Sequence, residues 1–219
     1  MTGWNPLHRS FNQWVAGSSP ARLNSYTSVF LVKRPSQSKI ENFLLRQRSV
    51  DFSYPEVGAT AGSIPPDYTI DRNTIRLGKG WETFRQAASL LKAWEMFKLG
   101  WVEKFPSGTS TVEVGSTVAI VVNHFGFWSL NACRIVYVFE EERSYGFAYG
   151  TLQDHAEQGE ERFSVEWAAE DDSVSYQILA FSKPGKWQTG MVRPLARSLQ
   201  RRFARDSMAA MKRAIDAAL

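Results

Sequence analysis

Cysteine is all but missing from this sequence. Cys133 stands alone, so no internal disulfide can form, and a reducing, cytoplasmic setting is the expectation. Long apolar runs are missing as well: the longest, about Val118 to Val122, falls far short of the roughly 20 residues a membrane-spanning helix needs. The opening residues contain no apolar core of a secretory signal. Histidine is scarce, and no C-x-x-C, H-x-x-x-H or H-E-x-x-H spacing occurs, so no metal site is predicted. Gly78-Lys79-Gly80 lacks the remainder of a phosphate-cradling G-x-x-x-x-G-K-[ST] pattern and reads as a turn before a helix. No cofactor is therefore expected.

What remains is an ordinary globular composition, 43% apolar and 22% charged over 219 residues, enough for one full-sized domain. The net charge of +4 is unevenly spread. No Asp or Glu precedes Glu41, although Arg9, Arg22, Lys33, Arg34 and Lys39 do. Residues 183–219 are again basic, whereas the middle of the chain is acidic. Residues 1–25, rich in Ser, Asn, Gly and Pro, are predicted to form a poorly ordered basic extension, and 26–219 a single domain.

Along that domain the periodicities alternate. A β-rich segment, Tyr26 to Lys33, stops at Pro35, and Ser36 is placed to cap a short helix carrying Ile40, Phe43 and Leu44. A loop follows, then a strand over 67–77 and a helix over 81–96 whose stripe is Phe84, Ala87, Ala88, Leu91 and Trp94. A short strand is expected over 101–105. From Thr111 to Ser182 the period is close to two, which predicts strands at 111–124, 129–142, 144–152, 160–169 and 173–182. Connections this short pair neighbouring strands antiparallel. After Pro184 and Gly185, residues 188–217 read as one long helix. Val192, Leu195, Leu199, Phe203, Ala210 and Ala214 lie on its apolar side, with Arg193, Arg197, Arg201, Arg205 and Lys212 opposite and solvated.

These elements predict an α+β helix-grip fold in two layers, a curved antiparallel β-sheet wrapped around a long C-terminal α-helix, with an apolar cavity where the helix leaves space. The residues also carry a resemblance. The loop Ser53-Tyr54-Pro55-Glu56-Val57-Gly58-Ala59-Thr60 is similar to blocks of an uncharacterised family shared by bacteria and plants, uncharacterised protein family 0548. So are Asp71-Arg72-Asn73 leading to Gly78-Lys79-Gly80, Trp94 to Trp101, and Tyr149-Gly150-Thr151-Leu152 with His155, Glu157, Gly159-Glu160-Glu161 and Phe163. That family is similar in turn to the START and birch-pollen-allergen superfamily. The resemblance implies the same helix-grip architecture and a relation to proteins that carry lipids, sterols or hormones or cyclise bound polyketides. It brings no established catalytic residues.

The leading expectation is a small-molecule-binding protein whose partner is hydrophobic or amphipathic, with Tyr54, Glu56, Trp101, Arg134 and Tyr149 lining or orienting the ligand. Arg134 would meet an anionic group if its face is concave, and solvent if convex. An enzyme without cofactor, a cyclase, lyase or hydrolase, is the alternative, with His155 and Glu157 as acid and base. A filled-core interaction domain is the third. Cys133 with His124 across a hairpin is the weaker nucleophile pattern. The basic side of the last helix suits weak contact with an anionic membrane surface; no nucleic-acid motif is present.

Overall fold

The computed structural model describes residues 29–107, 112–155, 157–184 and 193–218. The predicted extension over 1–25, the helix start over 188–192 with Val192, and the side chains of Arg193 and Leu195 lie outside the described residues.

The first strand, β1 (Val29–Leu31), is followed by α1 (Gln37–Gln47), a 3-10 turn at Ala59–Ala61, β2 (Thr69–Lys79) and α2 (Gly80–Lys92). A second 3-10 turn, Glu95–Phe97, leads into β3 (Val102–Phe105). The meander then runs β4 (Thr117–His124), β5 (Phe127–Glu140), β6 (Ser144–Thr151), β7 (Glu157–Trp167) and β8 (Ser173–Pro184), and α3 (Arg193–Ala218) ends the chain. The sheet is antiparallel throughout, in the order β2-β8-β7-β6-β5-β4-β3, with β1 paired to the first half of β5. It curves around α3, giving the helix-grip architecture the periodicities predict.

Local chemistry accounts for most boundaries. Ser36 caps α1, its hydroxyl accepting from the Lys39 N–H at 3.3 Å, and Ile40 and Phe43 are the buried ridge. α2 ends at Lys92 rather than continuing to Met96, because Trp94 takes a left-handed backbone with φ 59°. β4 begins at Thr117 rather than 111, since residues 114–115 turn and Gly115 has φ 84°.

One expectation needs correction. The sheet is covered on both faces, not one. Its concave side packs α2 and α3 over Phe147, Phe163, Val165, Tyr176 and Ile178. Its outer side carries α1 over Val121, Leu130 and Ala132, and the 52–64 segment over Phe181. Buried strand residues then need not alternate with exposed ones, and β6 is buried at nearly every position.

At Gly159 the β8 backbone leaves no room for a side chain. A methyl there would stand 1.9 Å from the Phe181 carbonyl oxygen, which is backbone and cannot rotate away. Gly159→Ala is expected to cost about 2–3 kcal/mol, read as a lower denaturation midpoint. An unchanged midpoint would contradict this packing.

Candidate functional site

Between the concave face and the first half of α3 lies a cavity of about 440 Å³. Its apolar wall comes from separate elements: Phe97 from the second 3-10 turn, Ile120 and Val122 from β4, Ile178 from β8, and Leu199 and Phe203 from α3. Phe127 and Arg201 also line it while remaining exposed, which puts them at the rim.

Polar groups converge on the opposite wall. The alternation of β7 turns Glu157 and Glu161 inward with Phe163, and side-chain-free Gly159 lies between them. Tyr149 is the cross-strand neighbour of Glu161, and its hydroxyl donates to Glu161 Oε2 at 2.7 Å. On α3, Arg197 holds Asp71 of β2 through two bonds, 2.5 and 2.8 Å, and donates to Gln200 Oε1 at 2.7 Å. Gln200 in turn donates to Glu157 Oε2 and to Ser182 Oγ. The helix is thus pinned to the sheet by a polar chain along the cavity wall.

Burial sets the electrostatics of this wall. It pushes the Glu161 carboxyl up to about 7, against the lowering effect of the Tyr149 bond, while Glu157 and Asp71 add to the rise. Glu157 is raised for the same reason, offset by Gln200 and Arg197. Tyr149 is held far above the usual phenol value, so its proton stays on the tyrosine. Glu161 retains some accessible surface, and the cavity is where that surface is found.

The sequence-predicted residues divide between the two faces of the sheet. Trp101 and Tyr149 line the cavity. The Trp101 indole donates to Asp206 at 3.0 Å, and the Arg202 guanidinium lies 4.2 Å over its ring, which fixes it to α3. Tyr54, Glu56 and Arg134 do not line it, so their expected place beside a ligand is corrected. Arg134 faces outward and donates to the Gln47 and Arg48 carbonyls at 2.9 and 3.0 Å, satisfying the C-terminal end of α1. It is neither a ligand clamp nor a solvated charge. Glu56 accepts from the Tyr68 hydroxyl.

Tyr54 belongs to a cage around Glu160, the outward-facing neighbour of Glu161. Glu160 is 3% exposed and accepts from Tyr54 Oη at 2.7 Å, Gly58 N at 2.7 Å, Thr60 N at 3.0 Å and the Thr60 hydroxyl. Gly150 sits opposite Glu160 across the strand pair, and a methyl there would lie 2.0 Å from Tyr54 Oη. The two sequence blocks, 53–60 and 149–163, therefore meet as one structural unit on the outer face. Their chemistry is that of a latch.

Two further patterns are corrected. The His155 imidazole does not meet the Glu157 carboxylate: its Nδ1 lies 3.0 Å from the Glu157 backbone N–H, and burial pushes the ring down to about 4. Cys133 pairs with Val118 and His124 with Phe127, so the two stand at opposite ends of the β4–β5 hairpin. Cys133 is buried and its thiol is pushed up by burial, the state of a core residue. On α3, Arg197 turns inward to Asp71, and of the solvated side predicted for the helix Arg201 and Arg205 are exposed, with Lys212 half-buried. Glu161 falls inside the strand predicted over 160–169 but is not among the predicted site residues. Counting by twos back from Phe163 finds it.

Fold and cavity together define a helix-grip domain with an internal chamber between its layers. The chain belongs to the family described as Domain of unknown function (DUF1990), which it matches over residues 53–210. A UPF0548 protein of Dictyostelium discoideum is 34% identical, the match covering 85% of this chain and 96% of that one. A UPF0548 protein of Deinococcus radiodurans is 33% identical, covering 81% and 94%. Among solved structures, a START superfamily protein from Mycobacterium smegmatis is 14% identical with a TM-score of 0.45, covering 68% of this chain and 99% of that one. Human STARD10 is also 14% identical, with a TM-score of 0.44, covering 86% and 81%.

Two outcomes follow for the two carboxylates. Tyr54→Phe keeps the ring and removes one donor from Glu160, so a loss of about 1–3 kcal/mol in denaturation is expected, with no effect on the cavity. For Glu161, the unfolded chain ionises near the ordinary value and the folded chain only near 7, so its stabilising contribution is complete at low pH and is lost as pH rises through that window. Glu161→Gln is therefore expected to stabilise the protein by up to about 3 kcal/mol at about pH 8 and by little at about pH 4. Parallel pH–stability curves for parent and variant would refute the assignment.

Proposed function

We propose that this protein holds an apolar or amphipathic small molecule in the chamber between the sheet and α3. The observation that carries the reading is the chamber itself, about 440 Å³ with Phe97, Ile120, Val122 and Phe203 on one wall and the Tyr149–Glu161 pair on the other. An apolar concavity with a few directed polar groups is the usual form of a small-molecule site. Trp101 and Tyr149 are the predicted ligand residues that this reading keeps, and Glu161 and Phe203 join them. The single buried thiol supports a reducing, cytoplasmic setting. No helix among the described residues is long and apolar enough to cross a membrane.

One observation favours an enzyme in the same chamber. A carboxyl pushed up to about 7 among apolar side chains is poised to give or take a proton near neutrality. In that reading Glu161 with Tyr149 takes the place first given to His155 and Glu157.

The binding reading is tested by native mass spectrometry of the purified protein, together with titration of the uncharged dye Nile red. A retained small molecule or saturable dye binding is expected. Ala180→Phe, which adds a ring at the cavity wall, should weaken dye binding about tenfold or more while the protein stays folded. Absence of both the retained molecule and the dye signal would overturn the proposal.

A further inference from the structure

The two walls of the chamber are chemically unequal, and the inequality has a sign. Of the four acidic residues on its lining, Asp71 is matched by the two bonds from Arg197, and the Glu160 carboxylate is turned outward into the Tyr54, Gly58 and Thr60 donors. Glu157 and Glu161 receive only neutral donors among the described residues, the Gln200 amide and the Tyr149 hydroxyl. Arg197 is near enough to lower Glu157 electrostatically, yet its bonds go to Asp71 and Gln200. Arg201, the one arginine on the lining among the described residues, is exposed at the rim. His155 is half-buried, and desolvation pushes its ring down to about 4, so it supplies no compensating charge at physiological pH.

Glu157 and Glu161 project from the same face of β7, four residues and so about 13 Å apart along the strand, with no side chain between them at Gly159. Buried carboxylates without a cation are costly, and a cation brought in with a ligand removes that cost. The apolar wall opposite accommodates the rest of such a molecule.

We infer that the ligand is an amphipathic cation, its apolar body against Phe97, Ile120, Val122 and Phe203 and its basic nitrogen against Glu161, with Glu157 adding negative charge farther along the same strand. This rests on the proposed binding function and adds the chemical class of what is bound. The groups facing Glu161 are Glu157 on its own strand, Asp71 on β2, Tyr149 on β6, Cys133 on β5 and Tyr176 on β8; Arg197 faces Glu157 from α3. Among these only Arg197 is cationic, and it is committed to Asp71.

Three probes of one chain length and different charge decide the matter: decylamine, decanol and decanoate, each titrated calorimetrically below its aggregation limit. The amine is expected to bind at least about tenfold more tightly than the alcohol, and the carboxylate most weakly. Glu161→Gln should lower amine affinity about tenfold and leave decanol within about twofold. Amine affinity should rise between about pH 6 and about pH 8 as Glu161 ionises, whereas decanol affinity should not. Equal binding of amine and alcohol, tighter binding of the carboxylate, or an equal loss of all three in Glu161→Gln would overturn the inference and leave the chamber a binding site. Failure of every probe, with no Nile red signal, would remove the binding function along with it.

Discussion

The structure turns on the alternation of one strand. In β7, Glu160 points outward into four donors and Glu161 points inward to a chamber where one hydroxyl meets it. Adjacent residues of identical chemistry thus have opposite fates, decided only by which side of the pleat each occupies. A slip of one position in the pairing of β7 would either bring Arg162 into the chamber in place of Glu161 or leave Gly159 in the cage in place of Glu160. Register here carries as much information as residue identity.

The outer carboxylate fastens to the sheet a loop without helix or strand over most of its length. Tyr54 reaches Glu160 over Gly150, the Gly58 and Thr60 amides close on it, and Arg162 donates to the Thr60 carbonyl. A buried charge surrounded by donors of fixed geometry is a specific lock, since losing any one donor exposes the others to an unmatched anion. The same face carries Arg134 at the end of α1, so both outer segments are fastened by hydrogen bonds to charged side chains of the sheet.

Much of this was legible in the chain and some was not. Ser36, Ile40 and Phe43 announced α1, and the run of period-two segments with short turns announced an antiparallel meander closed by a long helix. The side on which Arg134 lies was not legible, because both faces of β5 are covered and apolar residues stand at odd and even positions alike. Tyr54 and Glu56 looked like site residues because rigid loops so often are. Only their partners, distant in sequence, show them to be structural. Arg197 looked solvated from its helical spacing, and its fate depended on Asp71, 126 positions away. Trp101 and Tyr149 are on the cavity wall, where large aromatics beside a layer gap can lie.

Phe127 belongs at once to the lumen and to the surface, 59% exposed, and Phe125 beside it is 80% exposed on a left-handed backbone. Rings and the Arg201 guanidinium therefore share the doorway. Whatever enters can shed hydration against those rings as it passes, so part of the entrance is written into a turn of two residues, Phe125 and Gly126.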